Sequence, residues 1–331
     1  MSEGPLWDVI DCFSGGGLFS LGAQAAGMQI RECVDNSPDA LSVYKLNFPV
    51  NVSCATLGPG LSEYAFPKPR PQLHVHLSPP CTELSNAKSG KRLEAEGIAM
   101  LRWSVEIGAQ YHSFSVETVY TAHTLALAKE MVVEQPEVIK FGVYDAINFS
   151  APQSRVRLII STPQIIKRLN EAPASARVSV EDAFNAARME LPPGATHLKN
   201  SSPVVDGSNV RPIQGPAFTC CASRALSFCD SAGRTVVSMK PSHTRVLMGL
   251  PSFKLSGKQR IDQRVLGNGI VFGLSRAIAL AAMGRPIEPS SAPHTSLSEP
   301  TGGACACRQL AKRVLRVERC LAKLKKKQRS S

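Results

Sequence analysis

The sequence predicts an open α/β sheet, and three local patterns predict it. Residues 7–13 are a short apolar strand, followed by Gly15-Gly16-Gly17 and a helix over 18–26 that Gly27 stops. Residues 28–34 follow as a second strand, completing a strand, glycine turn, helix, strand unit. The period-two run Leu73-His74-Val75-His76-Leu77 leads into Ser78-Pro79-Pro80-Cys81, and the apolar runs 113–119, 138–143 and 156–161 add three more strands.

The first unit has the form of a nucleoside-binding half. Asp35 closes the second strand about twenty residues beyond the first turn glycine, where a ribose-binding acid belongs. Glycines let a ligand approach the backbone, and a carboxylate accepts from both ribose hydroxyls. A dinucleotide fingerprint needs a third glycine at position 20, which is Ser20. The departure favours a nucleoside without a diphosphate, with S-adenosylmethionine as the first candidate. Phe13, at the strand end, is placed to lie against an adenine ring. A plain glycine turn is the alternative.

Composition narrows the class. The chain has 331 residues, enough for about two domains without staples. It is 43% hydrophobic, yet the most apolar stretch, 270–283, is broken by Gly273, Ser275 and Arg276, so a soluble protein is expected, with no membrane association. No basic and apolar leader opens the sequence, and the ten cysteines include no Cys-x-x-Cys pair. Reduced thiols in an intracellular protein are expected, cytoplasmic in a prokaryote and nuclear in a eukaryote.

The net charge of +12 is unevenly placed: Arg308 to Arg329 carries ten basic residues and one acid, so +9 sits in the tail and +3 elsewhere. Leu310, Val314, Val317, Leu321 and Leu324 form an apolar stripe among those charges. The tail reads as a basic amphipathic helix, packed on a domain or partner or else acting as a nucleic-acid arm or import signal. A Pro/Ser/Gly-rich linker, 286–307, separates it from the body.

Several residues then suggest chemistry. Cys81 lies just beyond a strand's carboxyl edge, where open α/β sheets hold ligands, and a thiolate there is a nucleophile if positive potential is near. A loop cysteine is otherwise inert. Glu117 ends a different strand, and both ends open on one crevice. Arg155 and Arg157 alternate and so project to one side, towards one pocket or a surface rim.

Taken in order, Phe13-Ser14-Gly15-Gly16-Gly17, Asp35, Pro79-Pro80-Cys81, Glu117-Thr118-Val119, Gln153-Ser154-Arg155-Val156-Arg157 and Gly267-Asn268-Gly269 resemble the DNA (cytosine-5) methyltransferases over residues 7–285. The resemblance implies a Rossmann-like S-adenosylmethionine-dependent methyltransferase sheet, 1–180 plus 246–285, with a small target-recognition domain at 181–245. It implies that Cys81 adds to carbon 6 of a flipped cytosine while Glu117 engages ring nitrogen 3, with Arg155 and Arg157 holding the base carbonyl and stabilising charge near the thiolate. It places the cofactor against Phe13, Ser14, Gly15, Gly16, Gly17, Asp35, Asn36, Pro80, Asn268 and Ile270. Gln153, Thr219, Arg211, Arg224, Arg234 and Lys240 are the expected contacts to double-stranded DNA, and a monomer without metal is expected.

The sequence departs from the family at Thr82 (usually Gln), Thr118 (usually an Asn that steadies the Pro-Cys loop) and Leu18 (usually Gly). Phe149-Ser150-Ala151-Pro152 follows the usual Tyr-Gly-Val-Pro only loosely, and the acid near Cys54 that contacts the adenine amine is missing. Competing readings are a transfer-RNA cytosine methyltransferase, a catalytically silent nucleic-acid-binding protein, and a zinc module built on Cys220, Cys221, Cys229, Cys305 and Cys307, whose spacings fit no usual zinc pattern.

Overall fold

The structure is a computed structural model, described here for residues 6–60, 62–81, 84, 94–201, 209–223 and 225–288. Thr82, Arg224, Cys305, Cys307, the linker beyond residue 288 and the basic tail lie outside the described residues.

The N-terminal half alternates strands and helices: β1 (Asp8–Cys12), α1 (Leu18–Ala25), β2 (Gln29–Asp35), α2 (Pro38–Asn47), β3 (Asn51–Cys54), β4 (Leu73–Leu77), α3 (Glu94–Gly108), β5 (Phe114–Val119) and α4 (Ala122–Glu134). Then come β6 (Lys140–Asp145), a 3-10 turn at Ala146–Phe149, β7 (Val156–Ser161) and α5 (Pro163–Glu171). These strands form one sheet in the order β3-β2-β1-β4-β5-β7-β6.

The first five strands pair in parallel, whereas β7 runs antiparallel between β5 and β6. The reversal has a simple cause. The connection 146–155 is shorter than the dozen or more residues a parallel crossover needs. The strand order reverses between β1 and β4, and ligands of open α/β sheets bind in the crevice beyond the carboxyl ends at such a point.

Both faces of the sheet are covered, which is why β1 and β4 are buried along their whole length. One face packs on α1, α2 and α5 together with α8 (Gln259–Asn268) and α9 (Phe272–Ala282), around Phe19, Tyr44, Leu266 and Ile278. The other packs on α3 and α4, around Leu101, Phe114 and Met131. The chain therefore returns near its end to complete the first layer. No described helix is long and apolar enough to cross a membrane alone.

A second, antiparallel sheet has the order β11-β10-β8-β9, from β8 (His197–Lys199), β9 (Val210–Pro212), β10 (Ser227–Cys229) and β11 (Thr235–Ser238). Its core unites Leu198 and Phe228 with Val180 and Phe184 of α6 (Val180–Ala186) and Val246 and Leu247 of α7 (Pro241–Leu247). The two sheets are joined where Gln153 bridges Ala217 in parallel, with Ala217 N–H donating to Pro152 O at 2.8 Å.

Candidate active site

A cleft of about 380 Å³ opens at the carboxyl ends of β1, β2, β4 and β5. Its walls carry Phe13, Ser14, Gly15, Gly16, Asp35, Asn36, Pro80, Cys81, Glu117, Asn268 and Ile270, so residues far apart in sequence converge there. Ser78, Thr56, Met100, Asp11 and Arg264 also line it. Sequence reasoning passed over these five; only Ser78 and Asp11 carried a signal, as polar residues at the ends of strands already recognised.

One end of the cleft is built by the glycine turn. Gly15 has φ +53°, and nothing lies within 4 Å of where its Cβ would be, so its backbone borders open space. Asp35 holds the turn: Oδ2 accepts Gly15 N–H at 2.8 Å and Oδ1 accepts Ser37 N–H at 2.8 Å. Each carboxylate oxygen keeps a lone pair for a further donor. Gly17 departs from the expected ligand role: it does not line the cleft, and a Cβ there would meet the Phe48 ring at 2.5 Å and Tyr44 at 2.8 Å. It packs the turn onto α2.

Two departures acquire physical reasons. Ser20 Oγ donates to the buried carboxylate of Asp11 at 2.6 Å and contacts Tyr44 Oη at 2.7 Å, so it ties α1 to β1 and α2 where a glycine would only permit approach. Burial raises Asp11 to about 7 although both Ser20 hydrogen bonds pull it down. Leu18 is matched by Gly269, whose absent side chain leaves the room Leu18 occupies. Where the adenine-contacting acid is missing, the wall is Ala55, Thr56 and Leu57.

At the other end sits Cys81, half-buried, on a loop that Ser78 N–H ties to Cys12 O at 3.2 Å. Burial pushes its thiol up, Arg157 pulls it down, Glu117 raises it and Arg155 lowers it. Glu117 and Arg157 are paired across β5 and β7, with Arg157 Nε 2.5 Å from Glu117 Oε1. Thr118 Oγ1 is buried and makes no hydrogen bond among the described residues, so it does not take up the bonding of the usual Asn.

Several expectations need correction. Arg155 and Arg157 do not both face the pocket, and neither lines it. Arg155 is fully enclosed, and its Nη atoms donate to the carbonyls of Cys220 (2.8 Å), Gly267 (2.9 Å) and Gly269 (2.8 Å). Burial, then the Arg157 charge, lowers it to about 10, so it stays charged at neutral pH. It joins the Cys220 segment to the Asn268 segment.

Gln153 is wholly buried, donating to Leu247 O at 2.8 Å and accepting from Cys220 N–H at 3.0 Å, and so cannot touch DNA. Thr219 Oγ1 donates to Ser154 O at 2.6 Å. Of the expected basic contacts, Arg211 stacks over Phe218 at 4.1 Å, Arg234 is exposed but pairs with Asp230 at 2.7 Å, and Lys240 is exposed at the start of α7. Among the described residues no three His, Cys, Asp or Glu side chains gather as metal ligands would.

No protein-family model matches the sequence. Over 309 residues, 85% of this chain, the sequence is 25% identical to the type II methyltransferase M.HindV of Haemophilus influenzae, 97% of which is covered. The sequence is therefore similar, over most of its length, to a type II methyltransferase. The fold agrees with solved structures at low identity. A Spodoptera frugiperda Dnmt2 variant superposes with a TM-score of 0.55 at 14% identity, covering 84% of this chain and 99% of that one. The Entamoeba histolytica methyltransferase EhMeth superposes at 0.56 and 13%, covering 85% and 99%. The strand order β3-β2-β1-β4-β5-β7-β6, with a small antiparallel sheet beside it, is the fold typical of S-adenosylmethionine-dependent methyltransferases.

Proposed function

We propose that this chain is a DNA (cytosine-5) methyltransferase that uses S-adenosylmethionine and a covalent Cys81 adduct. The observation that carries the reading is the convergence of Cys81, Glu117, the open glycine turn and Asp35 on one cleft, with Arg157 paired to Glu117 behind it. The cofactor fits on this chain's own chemistry: Gly15 presents open backbone, Asp35 keeps acceptors for ribose hydroxyls, and Asn268 and Ile270 close the opposite wall. S-adenosylmethionine supplies the methyl group as an electrophile.

Cytosine carbon 5 is a poor nucleophile until a thiolate adds at carbon 6. Cys81 Sγ forms that bond, and Glu117, beside it in the cleft, hydrogen-bonds or protonates ring nitrogen 3 so that carbon 5 gains enamine character. Arg157 fixes the orientation of Glu117 and lowers the cost of charge on Cys81. Once carbon 5 carries the methyl group, its proton is lost to solvent and the carbon 6–Sγ bond breaks, releasing the Cys81 thiolate. Reaching both faces of the base requires a flipped nucleotide, at a cost of a few kcal/mol. The recognition unit we assign to 181–245 supplies DNA contacts through Arg211, Arg234 and Lys240, with Arg224 and the basic tail as further candidates.

The test is transfer of a labelled methyl group to unmethylated genomic DNA and, separately, to bulk transfer RNA, by the native protein and by Cys81→Ser. Incorporation into DNA that is lost in Cys81→Ser supports the reading. Incorporation into transfer RNA alone would move the substrate, and none into either would favour a silent binding protein.

A further inference from the structure

The two histidines of β4 are not used by this chemistry, yet they are fully buried in the sheet beside it. His74, His76 and Ser78 alternate on one face, and Ser113, Ser115 and Glu117 alternate on the adjoining face of the parallel neighbour β5, with His76 opposite Ser115. Their side chains interlock into a continuous chain. Ser113 Oγ lies 2.8 Å from His74 Nδ1, His74 Nε2 lies 2.9 Å from Ser115 Oγ, Ser115 Oγ lies 2.8 Å from His76 Nδ1, and His76 Nε2 lies 2.7 Å from Ser78 Oγ. The Phe19 ring stacks on His76 with centroids 3.4 Å apart and 5° between planes, and also covers His74 at 6.1 Å.

Apolar residues at these positions would cost less, because every buried polar group must be satisfied. Burial holds both imidazoles neutral: His74 is lowered to about 3, and His76 is lowered well below its usual value by burial and then by His74. Each of the five groups therefore has one hydrogen to give and a lone pair to accept with. Such a chain has two uniform polarities. In one, the free O–H lies at Ser113; in the other, it lies at Ser78. Ser78 lines the cleft, and it stands two residues beyond His76 as Glu117 stands two beyond Ser115, so the chain ends at the strand position adjoining Glu117.

We propose that Ser113, His74, Ser115, His76 and Ser78 form a proton relay through the sheet that exchanges the proton carried by Glu117 during turnover. The proposal rests on the role given to Glu117 above. When Glu117 passes its proton to the base nitrogen, Ser78 gives its hydrogen towards the carboxylate through a water in the cleft. Each group behind it passes one hydrogen forward, and Ser113, which keeps 5% of its surface exposed, takes one from solvent water. When the base is released, the same shift runs backwards. One proton enters and one leaves, each imidazole changes only which nitrogen bears hydrogen, and no group becomes charged.

Two measurements test it. Long-range nitrogen-15 NMR of the histidine-labelled native protein should find both imidazoles neutral and in the same tautomer, both Nδ1–H or both Nε2–H. Opposite tautomers or a charged ring would break the uniform chain and overturn the relay. In Ser115→Ala, with melting temperature and donor binding retained, methyl transfer to unmethylated genomic DNA should slow by roughly 100-fold in the first turnover as in later ones, because the relay acts within each turnover. Ser113→Ala, at the far end, should slow in the same way if Ser115→Ala fails to fold. Normal steady-state turnover in a folded variant overturns the relay and leaves the function standing. Native protein inactive on both DNA and transfer RNA overturns both.

Discussion

Leu18 stands where the family usually has glycine, and its partner is Gly269. A Cβ at position 269 would overlap Leu18 Cδ2 and sit 3.0 Å from Leu18 Cβ. Gly269 itself has φ −76° and ψ 166°, which alanine adopts without strain. Gly269→Ala in the native background should therefore cost about 1–3 kcal/mol of stability by overpacking. Leu18 is nearly fully buried, so Leu18→Ala alone should cost about 2–5 kcal/mol.

The two changes are not additive. In the Leu18→Ala background the overlap with Cδ2 disappears and only the 3.0 Å approach to Cβ remains, while replacing the glycine costs the unfolded chain freedom worth roughly 0.4–1 kcal/mol. Adding Gly269→Ala to Leu18→Ala should be close to neutral, giving a coupling of about 1–3 kcal/mol. Urea unfolding of the native protein, the two single variants and the double variant measures it. If Gly269→Ala costs the same in both backgrounds, Leu18 and Gly269 are not a matched pair, and the reason given for this departure fails.

Other expected outcomes follow from the same structure. Asp11, raised to about 7 against an unfolded value near 4, stabilises the fold below about pH 4 and loses that contribution as pH rises through 7. Unfolding of the native protein and Asp11→Asn across that range should show their stability difference shifting against the native protein by a few kcal/mol at most. Arg155→Met leaves three carbonyls without their donor and should cost about 2–4 kcal/mol, weakening donor binding in calorimetry because Gly267 and Gly269 flank Asn268. The raised Cys81 thiol is mostly protonated at neutral pH, so adduct formation should accelerate as pH rises. Arg157→Gln removes the charge that pulls the thiol down and should move that profile to higher pH.

The first βαβ unit was legible almost to the residue, because glycine at 15 to 17 and 27 and the acid at 35 mark its turns: the strand expected at 7–13 is β1, and the helix expected at 18–26 is α1. The strands at 73–77, 113–119 and 156–161 were also legible, as apolar runs buried on both faces. The antiparallel placement of β7 was not, since strand direction depends on what a ten-residue connection can span and leaves no trace in hydropathy. In the site, residues at strand ends could be placed from the parallel topology alone, which is why Cys81, Glu117 and Asp35 meet.

Gln153 and Arg155 could not be placed, because their partners are backbone carbonyls and amides of Cys220, Leu247, Gly267 and Gly269, 65 to 114 residues away. Alternation says which side a side chain leaves the strand; it does not say whether a pocket or another segment awaits it. The histidines of β4 were read as strand residues for the same reason: only the register with β5 reveals that serines face them.

The central claim is that Cys81 bonds to cytosine carbon 6. Duplex DNA in which cytosines are replaced by 5-fluorocytosine blocks loss of the carbon 5 substituent and should trap the protein as a covalent complex when S-adenosylmethionine is present. Peptide mapping should place the link on Cys81, and Cys81→Ser should form none. Absence of a complex with donor bound, or a link at another residue, would contradict the account.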